Sequence, residues 1–538
     1  MRKQPALLLL LVILLLPALA HTEDSMPRIR VLLKRLALTD RADIQVQGSY
    51  TLENGILSAG IQTNARLTFQ VHDGHLIVYD GILQLDFGSQ VKLIRHAETP
   101  DGSLIIGSSQ ALYPGDLTLR VSGGQIEAVL TINLEDYVLG VIPYEMSPEF
   151  PLEALKAQAV CARTYALRAV RSDRTWDVVD TTQDQVFRGL GAPDARVLSA
   201  VTQTEGLVGT YRGQLAECYY SASNGGQTET VEHVWPGAEA TGLYQRMQDP
   251  YDVANPQSLV RKASLSRNGD GMRPELTALL CQYLQPAIRN LGFSAEPDNL
   301  QIRGIQGIQL QAPAVSGSLQ YTECVLTLTW SGRASSQDAF TDVEDPAIVV
   351  VPVFPDLLQA LDLSIAGLNN ELLSVREEDD RYIIESRRYG HGVGMSQRGA
   401  EWMALNGWTF EQILSFYYPG LQLMQSSTLP PVMSTIRPEL RDSPAPSASP
   451  TPRPTLMPVS NTHPDGSYLA SVEGIEDDST LNLRSEPTQS APILMRLYKH
   501  QQLLVLDTTE DGIWVHVKTD SIEGYCMASF LERLAENE

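Results

Sequence analysis

Residues 134–167, LEDYVLGVIPYEMSPEFPLEALKAQAVCARTYAL, constrain the fold more than any other stretch of this 538-residue chain. The second half reads as one long helix. Pro151 can occupy its first turn without costing a hydrogen bond, and Leu, Ala, Lys, Gln and Arg follow. Ala154, Ala157, Ala159 and Ala162 leave few large side chains, so neighbouring backbone can pack close. Glu153, Lys156, Gln158 and Arg163 do not share one helical face, so at least one is expected to point inward. Ahead of this helix, Asn133 followed by Glu135 and Asp136 reads as the cap of a short helix ending near Gly140. Tyr144-Glu145-Met146-Ser147 then sets a carboxyl between an aromatic and an apolar side chain. Desolvation in such a place raises a glutamate's pKa, so that it can hold a proton at neutral pH and donate it. The plain alternative is a solvated turn glutamate, and local chemistry alone leaves both open.

The blocks GVIPYEM (140–146) and EALKAQAVCARTYAL (153–167) resemble the signature of the SpoIID/LytB family, cell-wall lytic transglycosylases of spore-forming bacteria and their relatives. In that family the glutamate matching Glu145 is the catalytic acid. A second stretch, RRYGHGVGMSQRGAEWMALNGWTFEQILSFYYPG (387–420), carries a further hallmark of the family, GHGVGMSQ. Gly390, Gly392 and Gly394 surround His391 on a loop whose backbone can approach a ligand. Read by itself, a glycine-flanked histidine is more often structural than catalytic. Ser396 is expected to open a helix through Met403 and Thr409 to cap another through Phe416. There is no Gly-Lys-Ser/Thr, which excludes a phosphate-cradling loop. Arg398 stands where the family often has an aromatic.

Two polar blocks, DTTQDQ (180–185) and CYYSASNGGQTE (218–229), read locally either as a capping loop and a hairpin turn, the default, or as donors to a sugar. They match further family blocks in order. The resemblance implies glycan contacts at Lys156, Gln158, Arg163, Gln185, Ser223, Asn224, His391 and Gln397, with Glu145 as acid. Some relatives carry a cysteine–histidine zinc site. The matching region here, VVDTTQDQVFRG (178–189), has neither residue, so no metal and no cofactor is expected.

Residues 26–133 alternate apolar and polar over short runs such as DIQVQG and RLTFQV, separated by turns, which predicts antiparallel strands. Residues 134–425 would form the catalytic region, giving an α+β class with a strand-rich amino-terminal part. Within it, 251–380 mixes helix-like and strand-like runs and reads as an elaboration of unreadable function. Residues 426–466, rich in Pro, Ser and Thr, read as a linker. Residues 467–538 alternate again. LNLRSEP, GIWVHVK and GYC resemble a bacterial SH3-like domain, a small all-β barrel. Trp514 and Tyr525 are its candidate ligand contacts, with core packing the stronger reading for Trp514. In wall enzymes such a domain acts as a tether.

A net charge of −24 argues against nucleic acid as a partner, because phosphate binding needs a basic face. Residues 1–20 have the basic start, apolar run and Ala18-Leu19-Ala20 site of a secretory signal, so an extracellular or wall-associated protein is expected. An uncleaved membrane anchor is the alternative. Five scattered cysteines without CxxC spacing are expected as buried single thiols. The expectation is a secreted peptidoglycan lytic transglycosylase acting in wall remodelling during sporulation. The alternative is a non-catalytic enhancer of a cell-wall amidase. The partners implied are peptidoglycan glycan strands, and a wall amidase or another sporulation wall hydrolase.

Overall fold

The computed structural model describes residues 27–428, apart from 80–83, 97–101, 193 and 289–290, together with most of 468–533. The expected signal at 1–20 and all but the first three residues of the expected linker lie outside the described residues. Among the described residues no helix is long and apolar enough to cross a membrane. The chain divides into two compact units, Met1–Pro446 and Ser447–Glu538.

The first unit begins with two sheets. In strand Arg41–Gln47 every second residue is buried, and Ala42, Ile44 and Val46 face inward as the alternation predicts. A seven-stranded sheet has Arg28–Leu32 between Val178–Val179, which runs parallel to it, and the antiparallel Gln125–Asn133. A six-stranded sheet contains Arg41–Gln47 between Ser103–Ile106 and Arg66–His72. The inward side chains of both sheets merge into one core that continues into the helices.

Helix α1 spans Leu134–Glu145, capped by the Asn133 side chain accepting the Glu135 N–H. It runs through Gly140 and Pro143 and does not end near Gly140. The reason is packing. Val141 and Ile142 are fully buried, and a β-carbon at Gly140 would come within 2.5 Å of the Phe187 ring. Gly140 therefore makes room for a neighbour inside the helix. Glu145 becomes the last residue of α1.

Helix α2 spans Leu152–Ala169. Ala154, Ala157, Ala159 and Ala162 are completely buried, and so are the polar Gln158, Arg163 and Thr164. A helix enclosed on nearly all sides must satisfy its polar groups internally. Thr164 bonds the Val160 carbonyl and receives the Gly209 N–H. Arg163 spreads its guanidinium over Glu135 and the carbonyls of Ala159 and Leu207. Later helices Gln397–Leu405 and Phe410–Tyr417 pack on α2, capped by Ser396 and Thr409 respectively, the second through a full capping box with Gln412.

The segment expected as an elaboration has its own core. Helix Pro274–Ile288 covers the strands Leu300–Pro313, Tyr321–Gly332 and Ala347–Pro352, with Trp330 buried among Leu280, Leu326 and Val351. The second unit is an antiparallel seven-stranded sheet from Tyr468–Val472 to Leu531–Arg533, around Leu483, Val505, Val515, Val517 and Cys526. Trp514 is buried, and Tyr525 stacks on His516 with centroids 4.8 Å apart. All five cysteines are buried free thiols.

Gly140→Ala is expected to destabilise the protein by about 1–3 kcal/mol through overpacking against Phe187. Chemical denaturation of the variant checks this, and an unchanged midpoint would mean that the Phe187 ring yields freely.

Candidate active site

Glu145 is only partly accessible, and burial pushes its carboxyl above the ordinary glutamate range. One hydrogen bond works the other way: the Val186 N–H donates to Oε1 at 2.9 Å. Below it lies a polar support. Gln185, almost fully buried, donates to the Tyr220 hydroxyl at 3.0 Å and accepts from the Tyr137 hydroxyl at 3.3 Å. Burial raises both phenols well above their ordinary value, so they remain neutral beside the acid. On the open side, Tyr144 is 43% exposed with the Arg188 guanidinium over its ring at 5.0 Å.

The segment 184–188 alternates in burial: Gln185 and Phe187 are buried, whereas Asp184, Val186 and Arg188 are half-exposed. Two other carboxyls lie along this stretch. Asp184 accepts the Tyr165 hydroxyl at 2.7 Å and the Val179 N–H at 2.8 Å. Asp180 is buried over the Arg35 N–H, and burial pushes its pKa up to about 7. Neither is presented as a solvated base.

The remaining residues singled out in the sequence are placed as follows. Ser223 and Asn224 are buried: the Ser223 hydroxyl and the Asn224 N–H donate to Asp252, and the Asn224 amide donates to Asp249 at 2.7 Å. Arg163 is taken up by Glu135, and Lys156 pairs with Glu153 at 2.7 Å. Gln397 is buried with its amide 3.5 Å from the Gln158 side chain, whose Nε2 finds no acceptor among the described residues. His391 stands on its glycine loop with Nδ1 accepting the Val393 N–H at 3.0 Å. Burial pushes its pKa down to about 4, against a smaller upward pull from a bond to the Tyr220 backbone. Its imidazole is therefore neutral at ordinary pH. Only Gln185, of these eight, bonds directly to the phenols beside Glu145.

Sequence reasoning did not single out Tyr137, Val186, Arg188, Tyr220 or Trp235. The alternation in QVFR (185–188) was the signal available for Val186 and Arg188. Arg398, where the family often has an aromatic, lies over the Phe150 ring at 5.1 Å. Hollows of about 400 Å³, lined by Trp408, Glu411, Gln412, Ser415 and Phe416, and about 340 Å³, beside Arg30 and Asp177, contain none of the Glu145 group. Among the described residues no three His, Cys, Asp or Glu side chains are grouped to hold a metal.

Glu145, Gln185, Val186 and Arg188 lie in a region, residues 122–211, that matches the family described as stage II sporulation protein, SpoIID; residues 479–532 match the bacterial SH3 domain. An uncharacterized protein of Brachyspira hyodysenteriae is 30% identical over 338 residues, which cover 61% of this chain and 75% of that protein. Stage II sporulation protein D of Bacillus subtilis is 26% identical over 59% of this chain and 82% of its own length. The amidase enhancer of Bacillus subtilis is 29% identical over 53% of this chain, but only 40% of that protein is covered. The chain belongs to the SpoIID family and carries a carboxy-terminal bacterial SH3 domain.

The His391 value fixes a sign for acid stability. Between about pH 6.5 and 4 the unfolded chain binds a proton at this position and the folded chain does not, so stability falls as pH falls. Asp180, raised in the folded state, acts in the opposite sense over much of that range, so the comparison must be with a variant. His391→Gln is expected to lose less stability than the parent protein between pH 7 and 5 in urea titrations. Parallel losses would show that His391 titrates normally.

Proposed function

We propose that the protein is a peptidoglycan lytic transglycosylase with Glu145 as its acid and base. The observation that carries this reading is a partly buried carboxyl with a raised pKa, held by the Val186 N–H. Protonated Glu145 donates to the glycosidic oxygen between N-acetylmuramic acid and N-acetylglucosamine. The C1–O bond breaks, an oxocarbenium-like centre forms, and the N-acetylglucosamine leaves as an alcohol. The carboxylate then takes the proton of the muramoyl C6 hydroxyl as that oxygen closes on C1, giving an anhydromuramic end and regenerating the acid.

A hydrolase needs two carboxyls, one as acid and one for water or nucleophile duty. Asp184 and Asp180 are committed to Tyr165, Val179 and Arg35, which favours the single-carboxyl route. The intramolecular hydroxyl supplies the second component already held in place. Glu153 is occupied by Lys156 and the Phe410 N–H, and Glu149 is exposed.

Similarity to a protein named amidase enhancer favours a second reading, in which the chain binds wall glycan and stimulates a separate amidase. Mass spectrometry of purified wall glycan after incubation separates the two. Anhydro ends support the transglycosylase, water-added ends a muramidase, and unchanged glycan the enhancer.

Glu145→Gln keeps size and most hydrogen bonding but removes the transferable proton. Turnover is expected to fall by about two to four orders of magnitude with glycan binding retained. Glu149→Gln is the control and is expected to cost little. Near-full activity of Glu145→Gln would remove the acid from the mechanism.

The SH3 domain is proposed as the tether to insoluble wall. Deleting residues 467–538 is expected to weaken action on wall sacculi more than on soluble glycan. Equal loss on both would assign the domain to folding instead.

A further inference from the structure

Tyr219 and Tyr220 are adjacent, yet they serve different neighbourhoods. Tyr220 belongs to the Gln185 support below Glu145. Tyr219 belongs to a cluster of rings: Trp235 at 4.9 Å between centroids, Tyr244 at 5.6 Å, and Tyr165 and His391 at the edge, 6.3 and 6.2 Å away. Trp235 also faces His391 at 5.1 Å. Tyr219, Trp235, Tyr165 and His391 are all partly accessible, unlike Tyr244 and Tyr418 behind them.

The segment 184–188 joins this cluster to the acid. Its accessible face presents Asp184, bonded to Tyr165; Val186, whose N–H holds Glu145; and Arg188, stacked on Tyr144. A ring at each end, Tyr165 and Tyr144, a cation at the second and the acid held between them fit a polymer passing across the site.

We propose that Trp235, supported by Tyr219 and His391, is a sugar-stacking subsite that holds the glycan strand one or more residues away from the bond facing Glu145. A pyranose presents a face of C–H groups, and a partly exposed indole offers the flat apolar counterpart, with hydroxyls left at the rim for water or polar neighbours. His391 takes part as a ring. Its nitrogens are engaged by the Val393 N–H and the Tyr220 backbone, which fixes the ring beside which Trp235 lies tilted. This inference rests on the glycan-binding reading above and deepens it. It assigns the extended-strand contact to a residue outside the acid's own surroundings.

The test uses the full-length chain. In the Glu145→Gln background, where ligand is not consumed, Trp235→Phe and Trp235→Ala are titrated with soluble glycan fragments of four or more sugars by calorimetry and tryptophan fluorescence. Trp235→Ala is expected to lose roughly 10-fold in affinity, equivalent to about 1.4 kcal/mol, and Trp235→Phe less. Trp235→Phe also removes the ligand-induced change in fluorescence at an unchanged melting temperature. With Glu145 intact, KM rises for these fragments while kcat is kept. If anhydro ends form and neither variant changes affinity or KM, the subsite is refuted and the lytic reading stands. If no anhydro ends form but the affinity loss is found, the subsite stands and the lytic reading falls. A loss of affinity that only follows a lowered melting temperature in both variants assigns Trp235 to packing and overturns the proposal.

Discussion

Two buried carboxylates, Asp249 and Asp252, hold the site's loops in register. Asp252 accepts from the Ser223 hydroxyl, the Asn224 N–H and the Ser396 hydroxyl. Asp249 accepts from the Asn224 amide, the Tyr417 hydroxyl and the N–H groups of Tyr251 and Asp252. A carboxyl removed from water is costly unless its oxygens are satisfied. These are satisfied only when residues near 224, 250, 396 and 417 arrive together. Losing any one of those partners would leave a buried charge short of hydrogen bonds, so the loops are ordered jointly. Burial lifts the Asp249 pKa despite its donors, which shows how dry this junction is. The same loop geometry leaves no room at Gly394, where a β-carbon would lie 2.0 Å from the Tyr219 carbonyl.

That junction stands behind the rings and the acid. Arg388 adds a second tie, donating to the carbonyls of Asn224 and Gln227 while lying near Glu229. Glu229 in turn pairs with Arg246, whose guanidinium also reaches the Ser316 carbonyl. The hairpin tip at 316–320 therefore rests on the loop that leads to Trp235. Gln227 bonds both Gly317 and Leu319 there. The segment with no readable function in the sequence thus acts, through this tip, as a brace for the site's outer wall.

Local chemistry was legible where it acts over a few residues. The caps at Asn133, Ser396 and Thr409 and the inward turn of polar residues on an alanine-rich helix follow from neighbours in sequence. What could not be read depends on distant partners. Ser223 and Asn224 offer donors that suit a sugar equally well, and only Asp249 and Asp252, more than two dozen residues on, commit them to the interior. The length of α1 was hidden for the same reason. Gly140 looks like a terminator until Phe187, 47 positions later, is seen to fill the space a side chain would need. Trp235 carries no local signal, because its role comes from rings at 219 and 391.

Because α1 runs through Gly140, Glu145 sits at its carboxy-terminal end, where aligned peptide dipoles leave a partial negative charge. That polarity opposes ionisation of any carboxyl placed there, adding to the effect of burial. The bias belongs to the main chain. Substituting the side chains around the acid can change how much water reaches it, but the direction in which the helix points would still favour the protonated form.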